Sequence, residues 1–354
     1  MSKQLLAGIG VRTRGQFLYG PWFDRLFLFG PVGVALGLAA LASISPEIFV
    51  AVVLVDIWLF ASPHVIATYT RIGHDNAHIR KHWFLIFLLP LIVLVLVTMV
   101  ALAFELGGLF TLYFIAQAYH VTRQSFGISR AYRHVDPRAV GSDRLSEGLI
   151  YLLPVWGLLH RCATVPDTFY GYPIYLPSVP TVFAAAIGVV AVLAFAWWVY
   201  RQVRLALIGQ LNAGHSLFVA SHLLVTAVAY LWVTDITLGW LAVNIWHNLQ
   251  YLLFVWMQNV RRDAQFDLQD IQSLKSPIKN AGKYLAVCLI LGIAMYQALN
   301  VAGQQLIWLG LPTVFILHFT VNFHHYLVDG VIWKRCKQTA ELPSLMPASS
   351  RSAI

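Results

Sequence analysis

Charge is what this sequence has least of. Asp, Glu, Lys and Arg make up 11% of its 354 residues, against roughly 25% in soluble globular domains. A chain so poor in charge cannot clothe a soluble surface, and it is equally unlike a disordered polypeptide, in which charge outweighs apolar content. Thiols are scarce too. Cys162, Cys288 and Cys336 are three, an odd number, far apart, and no Cys-x-x-Cys pair occurs. That excludes a disulfide framework and a thiolate zinc site. Carboxylates are few where they would matter: Asp56 is the only acid deep within an apolar run, and Asp329 stands near the end of the last one. A ferritin-like di-iron site, which needs several Glu on facing helices, is therefore excluded. No internal repeat is visible. The first apolar run follows Arg12, Arg14 and Arg25 with no small-residue cleavage site after it, so the first helix is expected to stay as an anchor.

What is present is apolar: 59% of the residues are hydrophobic. A membrane span needs roughly 20 apolar residues, and about ten candidates can be read, at 24–43, 47–66, 83–104, 107–122, 146–163, 181–200, 214–233, 237–258, 283–300 and 304–332. The net charge of +9 does not point to nucleic acid, because the basic residues form no patch. They sit in short clusters between the apolar runs. With ten spans, each of the 24 Lys and Arg residues except Arg161 falls on one side, and positive loops stay in the cytoplasm. The expected fold is an all-α polytopic transmembrane bundle with both termini cytoplasmic, in a bacterial inner membrane. Residues 1–337 form a single transmembrane domain and 338–354 a Ser/Pro-rich disordered tail. The outer segment 163–180, with four prolines, reads as an ordered cap. The polar segment 262–282 reads as a surface helix.

Thirteen histidines are many for such a chain. The even–odd order of the spans sends all but His160 to the cytoplasmic side or half. Ionisable groups within spans are costly and face the bundle interior or a cavity. Neutral imidazole is a common ligand of iron, copper and zinc, so imidazoles from several helices meeting at one depth would make a metal site. Without thiolates, iron or copper is favoured. Seven-residue spacing sets His215 with His222, and His318 with His325, on common faces; His324 points elsewhere. His74, His78 and His82 share a face too, but Asp75, Arg80 and Lys81 among them suit a solvated loop. Asn244, Asn248 and Asn322 lie about one turn from histidines and suit partners that fix imidazole tautomers. Asp329, four residues after His325, suits the same role.

The segments Ser62-Pro63-His64, Tyr119-His120 and Ile245-Trp246-His247, the last running on through Tyr251-Leu252-Leu253-Phe254-Val255-Trp256, resemble the Brp/Blh family of membrane β-carotene 15,15′-dioxygenases. That family is similar in having an early Pro-His, a second His on a later helix, and a His-x-x-x-His followed by an aromatic residue, valine and tryptophan. The resemblance covers roughly residues 47–330 and implies that His64, His120 and His247 bind iron. Two departures stand out. Tyr251 replaces the second His of the pair, and Thr68 and Gln124-Ser125 stand where the family has acids. The missing ligand falls to His222, His318, His324 or His325.

These readings converge on an integral-membrane, non-haem Fe(II) oxygenase with one or two ions, acting with O2 on a hydrophobic substrate such as a carotenoid or lipid delivered by the bilayer. Tyr251 would orient the substrate, and an electron-donor partner stays open. Two other classes remain: a histidine-lined transporter for protons or metal ions, and a haem-binding redox subunit with paired axial histidines.

Overall fold

The computed structural model describes residues 17–72, 76–136, 143–164, 168–264 and 275–332. The expected tail at 338–354 lies outside them, as does His74. Among the described residues the chain is helical apart from one two-stranded hairpin. Six helices among the described residues are long and apolar enough to cross a membrane, so the protein is a membrane protein of the all-α class.

A carboxylate sets the start of the first helix, α1 (Pro21–Ala42). Asp24 accepts the backbone N–H groups of Leu18, Tyr19 and Gly20 at 3.0, 3.0 and 2.9 Å, while Pro21 takes the first turn, where its missing N–H costs nothing. The next helix, α2 (Pro46–Val55), is capped by Ser45, which accepts from the N–H of Ile48. It runs into a π-helical turn at Asp56–Ala61 and then α3 (Ser62–Ile72). Pro63 explains the widening: it has no N–H and its ring pushes away the preceding turn. The Ser62 hydroxyl donates to the Ile57 carbonyl at 2.6 Å, taking up an acceptor in that turn.

After the short α4 (Asn76–Lys81) and a second π turn, Phe84–Leu88, comes α5 (Leu89–His134). Its backbone breaks at Glu105, with φ 54° and ψ −155°. A Cβ on Gly108 would lie 3.5 Å from the Val100 side chain, eight residues back, where a continuous helix would separate them by about 12 Å. The chain therefore folds back on itself here, and only glycine fits at 108. Next comes α6 (Arg144–Thr164). The hairpin β1 (Thr168–Phe169) and β2 (Tyr172–Pro173) then turns through Tyr170 and Gly171, both left-handed, the arrangement that matches strand twist in two-residue loops. It buries Phe169 and packs the Pro173 carbonyl on Gly107, closing over the break as the expected cap.

The remaining elements are α7 (Thr181–Leu207), α8 (Ala213–Ala227) with a third π turn at Val228–Trp232, α9 (Ile236–Ala264), α10 (Lys275–Gln305) and α11 (Thr313–Ile332). The expected surface helix at 262–282 is corrected at both described ends, which belong to α9 and α10; 265–274 lies outside the described residues. Arg161, the one cation read as outward, is buried. Its guanidinium donates to the carbonyls of Thr234 (2.7 Å), Ala229 (2.9 Å) and Val233, closing the C-terminal end of the third π turn. Its charge thus serves a helix end. Arg161→Met leaves these carbonyls without that donor, at roughly 1–3 kcal/mol for a buried unsatisfied group. The expected outcome is a clear fall in the thermal midpoint of the detergent-purified protein; an unchanged midpoint would show that water replaces the guanidinium.

Candidate metal centre

Four imidazoles from four helices meet in the interior. His64 stands at the start of α3, just after the π turn that Pro63 enforces. His120 comes from the second arm of α5, His247 from the middle of α9 and His325 from α11. All are buried, at 1–5% exposure. Ring centroids lie 4.6 Å apart for His64 and His325, 4.7 Å for His64 and His247, 4.9 Å for His120 and His247, 5.0 Å for His120 and His325, and 6.2 Å for His64 and His120. The Nε2 atoms of His64 and His325 face each other at 2.7 Å.

One turn further along each helix, at the spacing that places residues on one face, stands another polar residue: Thr68, Gln124, Tyr251 and Asp329. Three of these are joined. Thr68 Oγ1 and Tyr251 Oη both donate to Asp329 Oδ1, at 2.9 and 2.7 Å, and lie 2.8 Å from each other. With both hydroxyl protons directed at Asp329 Oδ1, the Thr68–Tyr251 approach carries no proton of its own. Tyr251 also packs on His64, centroids 4.4 Å apart. Both amide atoms of Gln124 are buried without a hydrogen-bond partner.

Ligand atoms from His64, His120, His325 and Asp329 all lie within 4.8 Å of one another. Two ligands of one ion at ~2.1 Å are ~3.4 Å apart in a tetrahedron and at most ~4.2 Å apart, so closing on a cation contracts the widest pair by roughly 0.6–1.4 Å. The nitrogens His120 Nε2, His247 Nε2 and His325 Nδ1 are buried without a partner. Such atoms cost free energy in a dry interior, and a cation satisfies lone pairs where no donor reaches. The donor set of imidazoles and one carboxylate, with no thiolate, suits iron, copper or zinc. The residues present thus fit a metal ion.

No family model, curated protein or solved structure matches the chain. The site therefore stands on its own geometry.

Of the seven histidines expected as ligands, the structure brings together His64, His120, His247 and His325. His247 packs against His64 and His120, while the convergent group of ligand atoms takes Asp329 as its fourth member. The other three stand apart, each held by a different partner. His222 Nε2 donates to the Ile150 carbonyl at 3.0 Å. His318 Nε2 meets Asn300 Oδ1 at 2.9 Å. His324 Nε2 donates to the Leu85 carbonyl at 2.7 Å and its Nδ1 accepts from Tyr69 at 2.9 Å. The asparagines expected to fix imidazoles do other work. Asn244 and Asn248 donate to Asp56, and Asn322 accepts from Tyr296. Asp329, expected to orient His325, joins the ligand group itself. Its four-residue spacing from His325, repeated in His64/Thr68 and His247/Tyr251, was the signal for this polar layer.

Tyr251→Phe removes a hydroxyl donor to Asp329. A buried acceptor left without its donor costs roughly 1–3 kcal/mol, so a loss of that order is expected in denaturation of the metal-free protein. No loss would show that the phenol does not hold the carboxylate.

Proposed function

We propose that this protein is a membrane-embedded, non-haem iron oxidoreductase that acts with O2 on a hydrophobic substrate, a carotenoid or another lipid. The observation that carries the reading is the meeting of His64, His120 and His325 with Asp329 in a buried, helix-held group. Three imidazoles and a carboxylate resemble the histidine–carboxylate ligand sets of non-haem Fe(II) oxygenases. The rings touch one another, which suits a bare ion and leaves no space between them for a porphyrin. In the same reading the chain has about ten spans and both termini in the cytoplasm of a bacterial inner membrane, as the distribution of Lys and Arg favours.

Bound iron would supply the O2 chemistry. The chain's own residues hold and shield. His64, His120 and His325 would offer ring nitrogens to the ion, with His247 packed against them as a further imidazole. Asp329 would offer a carboxylate oxygen, fixed in place by the hydroxyls of Thr68 and Tyr251. Tyr326 stacks on His120 with centroids 4.2 Å apart, which fixes that ring's plane. Phe319, Phe323, Tyr113 and Trp240 build an apolar wall on the outer side, which excludes water and suits a hydrophobic substrate. Tyr251, already committed to Asp329, orients the carboxylate first and the substrate only through it.

The test is elemental analysis of the detergent-purified protein. Wild type should carry one metal ion per chain, two at most. His64→Ala, His120→Ala and His325→Ala should each lose most of it, because each removes a ligand from a small set. His222→Ala and His318→Ala should retain it, because those rings are held elsewhere. Full metal in the first three variants, with wild-type folding, would remove the proposed centre.

A further inference from the structure

Beside the histidines lies a cavity of about 20 Å³, close to what one water molecule requires. Its walls include His64, His247, Gln117, Asn244, Asn248 and Tyr326. Four lining residues carry a buried polar atom with no partner: Nδ1 of His64 and of His325, Nε2 of His247, and Oε1 of Gln117, a residue 1% exposed. A cation would account for the ring nitrogens but not for the orphaned Gln117 acceptor, which points to a missing hydrogen-bond donor in the cavity.

The chemistry of that occupant follows from Asp56, three steps away. The Asp56 carboxylate receives Asn244 Nδ2 on Oδ2 and Asn248 Nδ2 on Oδ1, the latter at 3.2 Å. A carboxylate taking a donor on each oxygen only accepts. Asn244 must therefore turn its NH₂ toward Asp56, which turns its carbonyl toward Gln117. Gln117 must then donate, and its Nε2 does so to Asn244 Oδ1 at 2.6 Å. That leaves Gln117 Oε1 as an acceptor. Asp56, accepting on both oxygens, thus decides the orientation of two amides whose N and O atoms are otherwise interchangeable.

We propose that the cavity is a binding site for one water molecule, which donates a hydrogen bond to Gln117 Oε1 and lies beside His247 Nε2, and that Asp56 is the positioning residue that gives the cavity its acceptor. A hydrogen-bond donor satisfies Gln117 Oε1; dioxygen, which has no proton to donate, would leave it unpaired. The inference refines the oxidoreductase reading by separating a water site from any place for O2, yet it stands on the amide relay and the cavity, with no metal required.

The test is a cryo-EM map of the full chain bound to an antibody fragment, at a resolution that shows ordered water, with metal content measured on the same sample. Wild type should show a peak within hydrogen-bond distance of Gln117 Oε1. Gln117→Leu should lose it while the four histidine rings keep their positions. Asp56→Asn should weaken it, because Asn244 is then free to turn over and reverse Gln117, and Asp56→Glu should restore it. A purely structural role for Asp56 would instead disturb the helices and leave the peak where the fold survives. An empty cavity in well-resolved wild-type density, or a peak unchanged in Asp56→Asn, overturns the proposal. A peak in a metal-free sample would uphold it even if the iron reading failed, and metal without a peak would do the reverse.

Discussion

A polar group inside this bundle must find a partner within the protein, because neither lipid nor a packed apolar core supplies one. That requirement organises the interior. Asp24 gathers three backbone N–H groups. Arg161 gathers three carbonyls. Asp56 gathers two amides, and Asp329 two hydroxyls. In each case an ionisable side chain that would be costly alone is placed among fixed polar groups that satisfy it. The buried histidines follow the same rule, with one difference. Those outside the centre each find a carbonyl, amide or hydroxyl partner, while His120 and His247 at the centre keep an Nε2 that no donor in the chain reaches.

The helices bend to meet this need. All three π-helical turns lend a backbone carbonyl to a side chain: Ile57 to Ser62, Leu85 to His324, and Ala229 to Arg161. A π turn misaligns the helix's own hydrogen-bond ladder and so leaves carbonyls open to other donors, which is why such turns recur near functional groups. The first of them, forced by Pro63, lies immediately before His64. The fold-back at Glu105 has a comparable effect at larger scale, letting the second arm of α5 bring His120 to the same depth as residues from α3, α9 and α11.

The centre is layered. Histidines form one level, and the residues one turn on, Thr68, Tyr251 and Asp329, form another that is cross-linked by its own hydrogen bonds. On a further side the amides of Gln117, Asn244 and Asn248 tie the cavity wall to Asp56. Rings held by two surrounding networks lose little freedom when an ion binds, so the arrangement is preorganised for one.

Composition and charge placement were enough to read a helical membrane protein with many of its histidines within or at the ends of apolar segments, because burying apolar surface and excluding charge act on each residue separately. Short motifs singled out His64, His120 and His247, and these three rings pack together in the fold. Which other histidine joins them was not legible: His222, His318, His324 and His325 look alike in sequence, and only packing shows that three are held by Ile150, Asn300 and Leu85 while the fourth faces His64. The role of Asp329 was half legible, since four-residue spacing gives a shared face and nothing about what lies opposite. Asp56 was visible only as an isolated acid, and its amide partners stand nearly 190 positions away along the chain. The sequence by itself determined the environment of each side chain; the tertiary structure decided their partners, because hydrogen bonds and coordination act over a few ångströms between helices whose order along the chain does not fix their neighbours in space.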